Sequence, residues 1–400
     1  MEEKRKIPLF KVYMSDTAKD AVGTVLDSGY IGQGPKVEEF EGALKDRFNH
    51  DFVLTTNSAT SAEHLALHML KKAAEHRHAP LNIPGYTVKN WPGIQEGDEV
   101  LTSALTCTAT NWPILANNYR IKWVDVDENT LNMDLDDLAR KITPTTKVIY
   151  LVHWGGYPLD LDRVKAIQEK AYSMYGFKPA VIEDCAHSFG STYKNKPIGT
   201  HGNICTFSFQ AIKHVTSVDG GALFVPHEEL YKRGKLLRWY GIDRESNRKD
   251  FRCEADVVEW GFKFHMNDVS AAVGIENLKH ADEIVGKHKD NAAYYNEALK
   301  GVSGVTLLEN KDDRESAYWL YTIKVKDRDK FTEHMAKHGI AVSRVHERND
   351  LHTTVREYIT ALPALDKVVK EMICIPVGWW VTEEDREYIV ETIKSGWNEN

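Results

Sequence analysis

Long apolar runs are missing from this 400-residue sequence. A membrane-spanning helix needs roughly 20 consecutive apolar residues, and the densest run, 148–152, has the length of a strand. The opening MEEKRKIPLF carries charge with no apolar segment of the secretory kind behind it, so the expected location is cytoplasmic, with no membrane partner. Cysteine is scarce. Five residues, Cys107, Cys185, Cys205, Cys253 and Cys374, are scattered and odd in number, which fits a reducing compartment better than a disulfide framework. No CxxC pair occurs, and the close pairs Cys185 with His187 and His201 with Cys205 lack a complementary second pair, so no metal site is expected. Positive charge is in deficit, with 51 Lys and Arg against 59 Asp and Glu and a net charge of −8, which argues against nucleic acid as a partner. Neither GxGxxG nor GxxxxGK[ST] is present, which removes the main support for dinucleotide and P-loop readings. Internal repeats and low-complexity tracts are also missing.

What remains is ample material for a core. Hydrophobic residues make up 42% and charged residues 28%, and a chain of this length divides into two packed units or one large body with an appendage. In KVEEFEGALKDRF, residues 36–48, Val37, Phe40, Leu44 and Phe48 recur at helical spacing and predict an amphipathic helix. Beyond residue 50, apolar or β-branched runs (FVLTT, EVLTS, WPILANN, IKWVDVD, VIYLVHW, AVIEDCA, ICTFSF) alternate with helical patterns such as EHLALHMLKKA. Nearly continuous apolar strands between helices predict an α/β domain whose mostly parallel sheet is buried on both faces. We expect a large domain over 1–265, and connecting helices with a smaller C-terminal α/β domain over 266–400. In the smaller unit YTIKV reads as a strand, DKFTEHMAKHG as a helix, and Thr382 with Asp385 as the capped start of a terminal helix. The stretch 71–97, with three prolines and little periodicity, reads as an extended insertion.

Three motifs could carry chemistry. In NSATSAEHLAL small residues run directly into a helix, so the N–H groups around Ala59 and Thr60 can face an anion. In AVIEDCAHSFG an apolar strand ends in Glu183 and Asp184, where parallel sheets form their ligand crevice. In TFSFQAIK a strand delivers Ser208 and, five residues later, Lys213. Each has an ordinary explanation in a helix cap, a loop acid or a surface lysine. Together they meet the needs of pyridoxal phosphate: a lysine for its Schiff base, a carboxylate for its pyridine nitrogen, and N–H and hydroxyl groups for its phosphate.

The motifs resemble, in order and spacing, the fold-type-I, pyridoxal-phosphate-dependent aminotransferases of the DegT-like kind that act on nucleotide-linked keto sugars. The likeness extends from GYIGQGPKVEEFE through SAT, GDEVLTSALTCTAT, EDCAHSFGS, FSFQAIK and DGGAL to GFKFHMND, with Lys213 29 positions after Asp184. It implies that Lys213 links the cofactor and moves protons, that Asp184 keeps the ring nitrogen protonated, and that His187 lies near the ring hydroxyl. Ser208 and the Ala59 and Thr60 amides would hold the phosphate. It further implies glutamate as amino donor, a nucleotide-linked keto sugar as acceptor, and a homodimer with shared active sites.

Three positions depart from the family pattern. Lys263 stands where Asn is more frequent, at a position that reaches the neighbouring subunit's cofactor phosphate. Cys107 stands at the cofactor-binding position where an aromatic ring commonly stacks, so stacking is either weakened there or supplied by another residue, Trp112 or one from the 71–97 insertion. Asp219 replaces the Glu of EGG. For anionic substrates, Arg233, Arg238, Arg244, His346 and Arg348 are the available basic side chains. Two rival readings are a cofactor-dependent sugar dehydratase, which often carries His in place of the lysine, and a non-catalytic sugar-nucleotide-binding regulator, which has no need of lysine, carboxylate and phosphate nest together.

Overall fold

The computed structural model describes residues 5–71, 92–245 and 256–397, so most of the 71–97 insertion and Cys253 lie outside the described residues. The chain builds a central sheet from β1 (Val53–Thr56), β2 (Glu99–Ser103), β3 (Arg120–Val124), β4 (Thr146–Val152), β5 (Ala180–Asp184), β6 (Ile204–Ser208) and β7 (Gly221–Phe224). Their order across the sheet is β1-β7-β6-β5-β4-β2-β3. Strand β7 runs antiparallel to both of its neighbours, β1 and β6, and the other pairings are parallel.

Successive side chains of a strand face opposite sides, and the two large cores follow that alternation. Val148 and Tyr150 of β4 and Ile182 of β5 enter one core, while Ile149, Leu151 and Val181 enter the other. Every residue of β4 is buried, which accounts for its unbroken apolar run. The same period assigns the acids that end β5: Asp184 shares the face of Ile182, and Glu183 the face of Val181.

Helices α1 (Ala18–Ser28), α2 (Pro35–Phe48), α3 (Ala59–Met69) and α4 (Thr108–Ala116) include the expected amphipathic helix, and Val37, Phe40, Leu44 and Phe48 of α2 are all buried. One run departs from expectation. WPILANN is not a strand but the end of α4 and the turn after it. Pro113 supplies no N–H to the helix, yet its carbonyl accepts from both Asn117 N (3.1 Å) and Asn117 Nδ2 (2.9 Å), which closes the last turn.

A second sheet, β8 (Val305–Leu307), β9 (Tyr321–Val325) and β10 (Met372–Ile375), is antiparallel and has its own core with Phe331, Ile389 and Trp397. The N-terminal arm joins that core through Ile7. The final helix, Glu383–Lys394, opens with a reciprocal Thr382–Asp385 capping box, as its sequence predicts. Among the described residues no helix is long and apolar enough to cross a membrane.

Candidate active site

The carboxyl ends of the parallel strands carry the three motifs to one edge of the sheet. Asp184 closes β5, Ser208 closes β6, and Lys213 follows five residues later. The chain leaving β1 turns at Ser58 into α3. Ser58 Oγ accepts from Ser61 N at 3.1 Å, while the Ala59 and Thr60 N–H groups precede the first intrahelical donor, Ala62 N, and have no acceptor within the helix. Gly221 makes this approach possible, because a Cβ there would lie 2.5 Å from Ala59 N. Gly221→Ala is therefore expected to cost about 2 kcal/mol and to displace the helix start. Thermal unfolding and the affinity for inorganic phosphate measure the two effects.

Asp184 is 5% exposed and held at both oxygens, by Thr110 Oγ1 at 2.7 Å and by Ala186 N at 2.9 Å. Burial outweighs these donors and the nearby Lys213 charge, so its pKa is raised. Burial pushes the Lys213 amine down to about 8, against the pull of Asp184, Cys107 and Glu63. His187 is buried, and its pKa is held well below the usual histidine range by burial first and by Lys213 and His346 next. Among the described residues, His187 Nδ1 and Glu63 Oε2 are buried without a hydrogen-bond partner.

Several contributors were not singled out from sequence. Trp319 stacks on His187 with centroids 4.0 Å apart, and Lys213 Nζ lies 3.3 Å from a Trp319 ring centroid. Thr110, the last residue of SALTCTAT, grips Asp184. Glu63, buried on α3, has its pKa raised by burial and by Asp184. Cys107 precedes α4 and is partly exposed, on the Lys213 side of the site. Trp112 pairs instead with His352, at 5.7 Å. Lys263 is exposed, and its carbonyl accepts from Asn57 Nδ2 at 3.3 Å, next to the turn into α3.

The five basic candidates divide sharply. Arg233 forms a two-pronged pair with Glu259 and also donates to Met69 O and Lys71 O. Arg238 is bound to Glu41 and Thr55 O, and Arg348 to Asp350 and Asp366. These three are structural. Arg244 lies over Trp239 and lines a cleft of about 470 Å³ with Lys232 and Lys235. His346 alone of the five joins the aromatic cluster, parallel to His187 within 4° at 5.8 Å.

Below Asp184, on the opposite face of β5, His153, Glu183 and Cys185 bring three potential metal ligands together. Their donors are already engaged. His153 Nδ1 accepts from Leu159 N (3.1 Å), so its proton sits on Nε2 and is given to Glu183 (2.8 Å), whose other oxygen accepts from Asn203. The trio acts as a buried brace for the strand that carries Asp184.

The residues at the sheet edge fit pyridoxal phosphate. Were it bound, the Lys213 amine would meet its aldehyde, the Asp184 carboxylate its ring nitrogen, the unpartnered His187 nitrogen its ring oxygen, and the Ala59 and Thr60 amides with Ser208 its phosphate. Fold and site together define a pyridoxal-phosphate enzyme of fold type I. The chain belongs to the DegT/DnrJ/EryC1/StrS aminotransferase family, whose model matches residues 13–78 and 85–394. The crystal structure of AtS13 from Actinomadura melliaura is 49% identical, with a TM-score of 0.90 over 98% of this chain and 99% of that one. The sugar aminotransferase CalS13 from Micromonospora echinospora is 46% identical, with a TM-score of 0.89 over 98% and 100%. The PLP form of the putative sugar aminotransferase Spr1654 from Streptococcus pneumoniae is 26% identical, with a TM-score of 0.85 over 98% of each chain.

Proposed function

We propose that this aminotransferase moves an amino group from glutamate to a nucleotide-linked keto sugar, and that Lys213 carries the protons in both halves of the exchange. The convergence of the Lys213 amine and the Asp184 carboxylate at one strand edge is the observation that carries the reading, and the likeness to CalS13 and AtS13 supports the sugar as acceptor. When bound, pyridoxal phosphate supplies an aldehyde that links amines and a protonated ring that accepts the electron pair of a broken C–H bond.

The protein's own part is positional and electrostatic. Asp184, fixed by Thr110 and Ala186, presents negative charge where the ring nitrogen must stay protonated. His187, neutral because it is buried, can donate to or accept from the ring oxygen without adding charge. The start of α3 and Ser208 would hold the phosphate. Lys213 Nζ is largely neutral above pH 8 and accepts the proton from the donor's α-carbon, and in the second half delivers one to the sugar carbon that bears the new amino group. Retention of lysine at 213 favours transamination over dehydration.

A homodimer with shared sites belongs to the same reading, with the exposed Lys263 ammonium completing the partner's phosphate pocket. The test is a panel of nucleotide-linked keto sugars incubated with enzyme and glutamate. A product whose mass shows the carbonyl oxygen replaced by an amino group is expected, with 2-oxoglutarate formed one for one. Loss of water from the sugar without uptake of nitrogen would instead establish the dehydratase.

A further inference from the structure

We propose that Trp319 is a positioning residue for the reactive amine: its ring face holds the Lys213 ammonium, and its N–H fixes the chain beside it. The proposal rests on the reading of Lys213 as that amine. Three contacts meet on this one side chain. Lys213 Nζ lies 3.3 Å from a Trp319 ring centroid. Trp319 Nε1 donates to Ile212 O at 2.9 Å, the carbonyl of the peptide immediately before the lysine. The indole also stacks on His187 at 4.0 Å, and Phe10 stacks on the indole at 5.2 Å.

A ring locked by its neighbours and tied to residue 212 cannot drift without moving the lysine. Trp319 is 3% exposed, so its contact with the amine is shielded from water, where the attraction between a cation and a ring face is strongest. The face of an indole is electron-rich and favours the ammonium over the neutral amine. Burial pulls the other way. The remaining groups around the amine are Asp184 from β5, Glu63 from α3 and Cys107 ahead of α4, which favour the charged form, the buried histidines His187 and His214, and the half-buried His346. Trp319 thus works with the carboxylates to keep the amine from losing its proton too readily, and aims it when it is not bonded to cofactor.

A tryptophan that merely filled the core would depend on its shape; one that holds the amine depends on the charge of its ring face. Successive fluorination drains that face while hardly changing the outline. The experiment places mono-, di- and trifluorotryptophan at position 319 alone in the full chain, removes the cofactor, and acetylates with limiting acetic anhydride from pH 6 to 11. Mass spectrometry of the Lys213 peptide, referenced to exposed lysines, gives the pKa of this amine. The expected result is a pKa that falls with each added fluorine, by about one unit across the series. In turnover, the base-limited rise of kcat with pH is expected to move to lower pH across the series, following the amine, with KM for glutamate little changed. A pKa that stays constant through the series would overturn the proposal. Borohydride fixing the cofactor to another lysine would overturn the reading of the site without moving this titration, so the two failures are distinct.

Discussion

Lys213→Ala is expected to lower turnover by at least about 10⁴-fold, because one side chain supplies both the covalent link to the cofactor and the proton carrier. The fold should survive. The amine sits in surroundings that lower its pKa, so its burial as a cation is a cost to the folded state and not an anchor of it. Thermal melting of the cofactor-free variant should therefore lie within a few degrees of wild type. Two further measurements make the result specific. The visible band that borohydride bleaches in the wild type should be missing from the variant. Lys213→Arg should be as inactive as the alanine variant, since a guanidinium keeps the charge but cannot deprotonate in the working range. Normal turnover in either variant would remove the mechanism. In the wild type the neutral fraction of the free amine grows as pH rises through about 8, so base-limited turnover should rise through the same interval.

How much of this was legible before the fold depended on whether a signal was local. EVLTS and YTIKV coincide with β2 and β9, and the Thr382–Asp385 box opens the last helix, because periodicity and capping act over a few residues. That Asp184 and Ser208 close strands was legible for a related reason: the end of a parallel strand is itself a place in the fold. Trp319 was not. It is 106 residues beyond Lys213, on the approach to β9, and reaches the site only through long-range packing in the core that also holds Tyr150 and Ile182. Thr110 lay in plain sight inside SALTCTAT, but nothing in a threonine's neighbours says that its hydroxyl will meet a carboxylate 74 positions away. The arginines give the converse case. Arg233, Arg238 and Arg348 look available to an anionic substrate, yet each is taken by acids or carbonyls remote enough in sequence, or close enough in a turn, to escape pattern reading. WPILANN misled because a short apolar run fits strand and helix equally, and here it ends a helix that tolerates Pro113.

Asp184→Asn is expected to separate activity from stability in opposite directions. The substitution keeps the outline of the side chain and one oxygen for Ala186 N, while Thr110 Oγ1 can turn to accept from the new amide, since it already shares a proton with Thr106 Oγ1 at 2.9 Å. What is lost is the negative charge facing the ring nitrogen, and turnover should fall by about 10²–10³-fold or more. Stability of the cofactor-free protein follows the raised pKa of the buried acid. Below the ordinary carboxyl range, folded and unfolded chains both bind the proton and Asp184 contributes nothing. As pH rises, the unfolded chain ionises first while the folded one still holds its proton, so the folded state loses stability until its own pKa is passed. The amide side chain of the variant cannot titrate and removes that loss. The cofactor-free variant should therefore melt at or above the wild-type temperature at pH 8, with the gap narrowing towards pH 4, whereas saturating pyridoxal phosphate should stabilise the wild type more, because only there does a cationic ring meet an anion. A variant less stable than wild type at pH 8 without cofactor would mean that Asp184 serves the fold first. A variant with full turnover would mean that the ring nitrogen is served by another group, for which Glu63, buried beside it with an unpaired oxygen, is the next to replace.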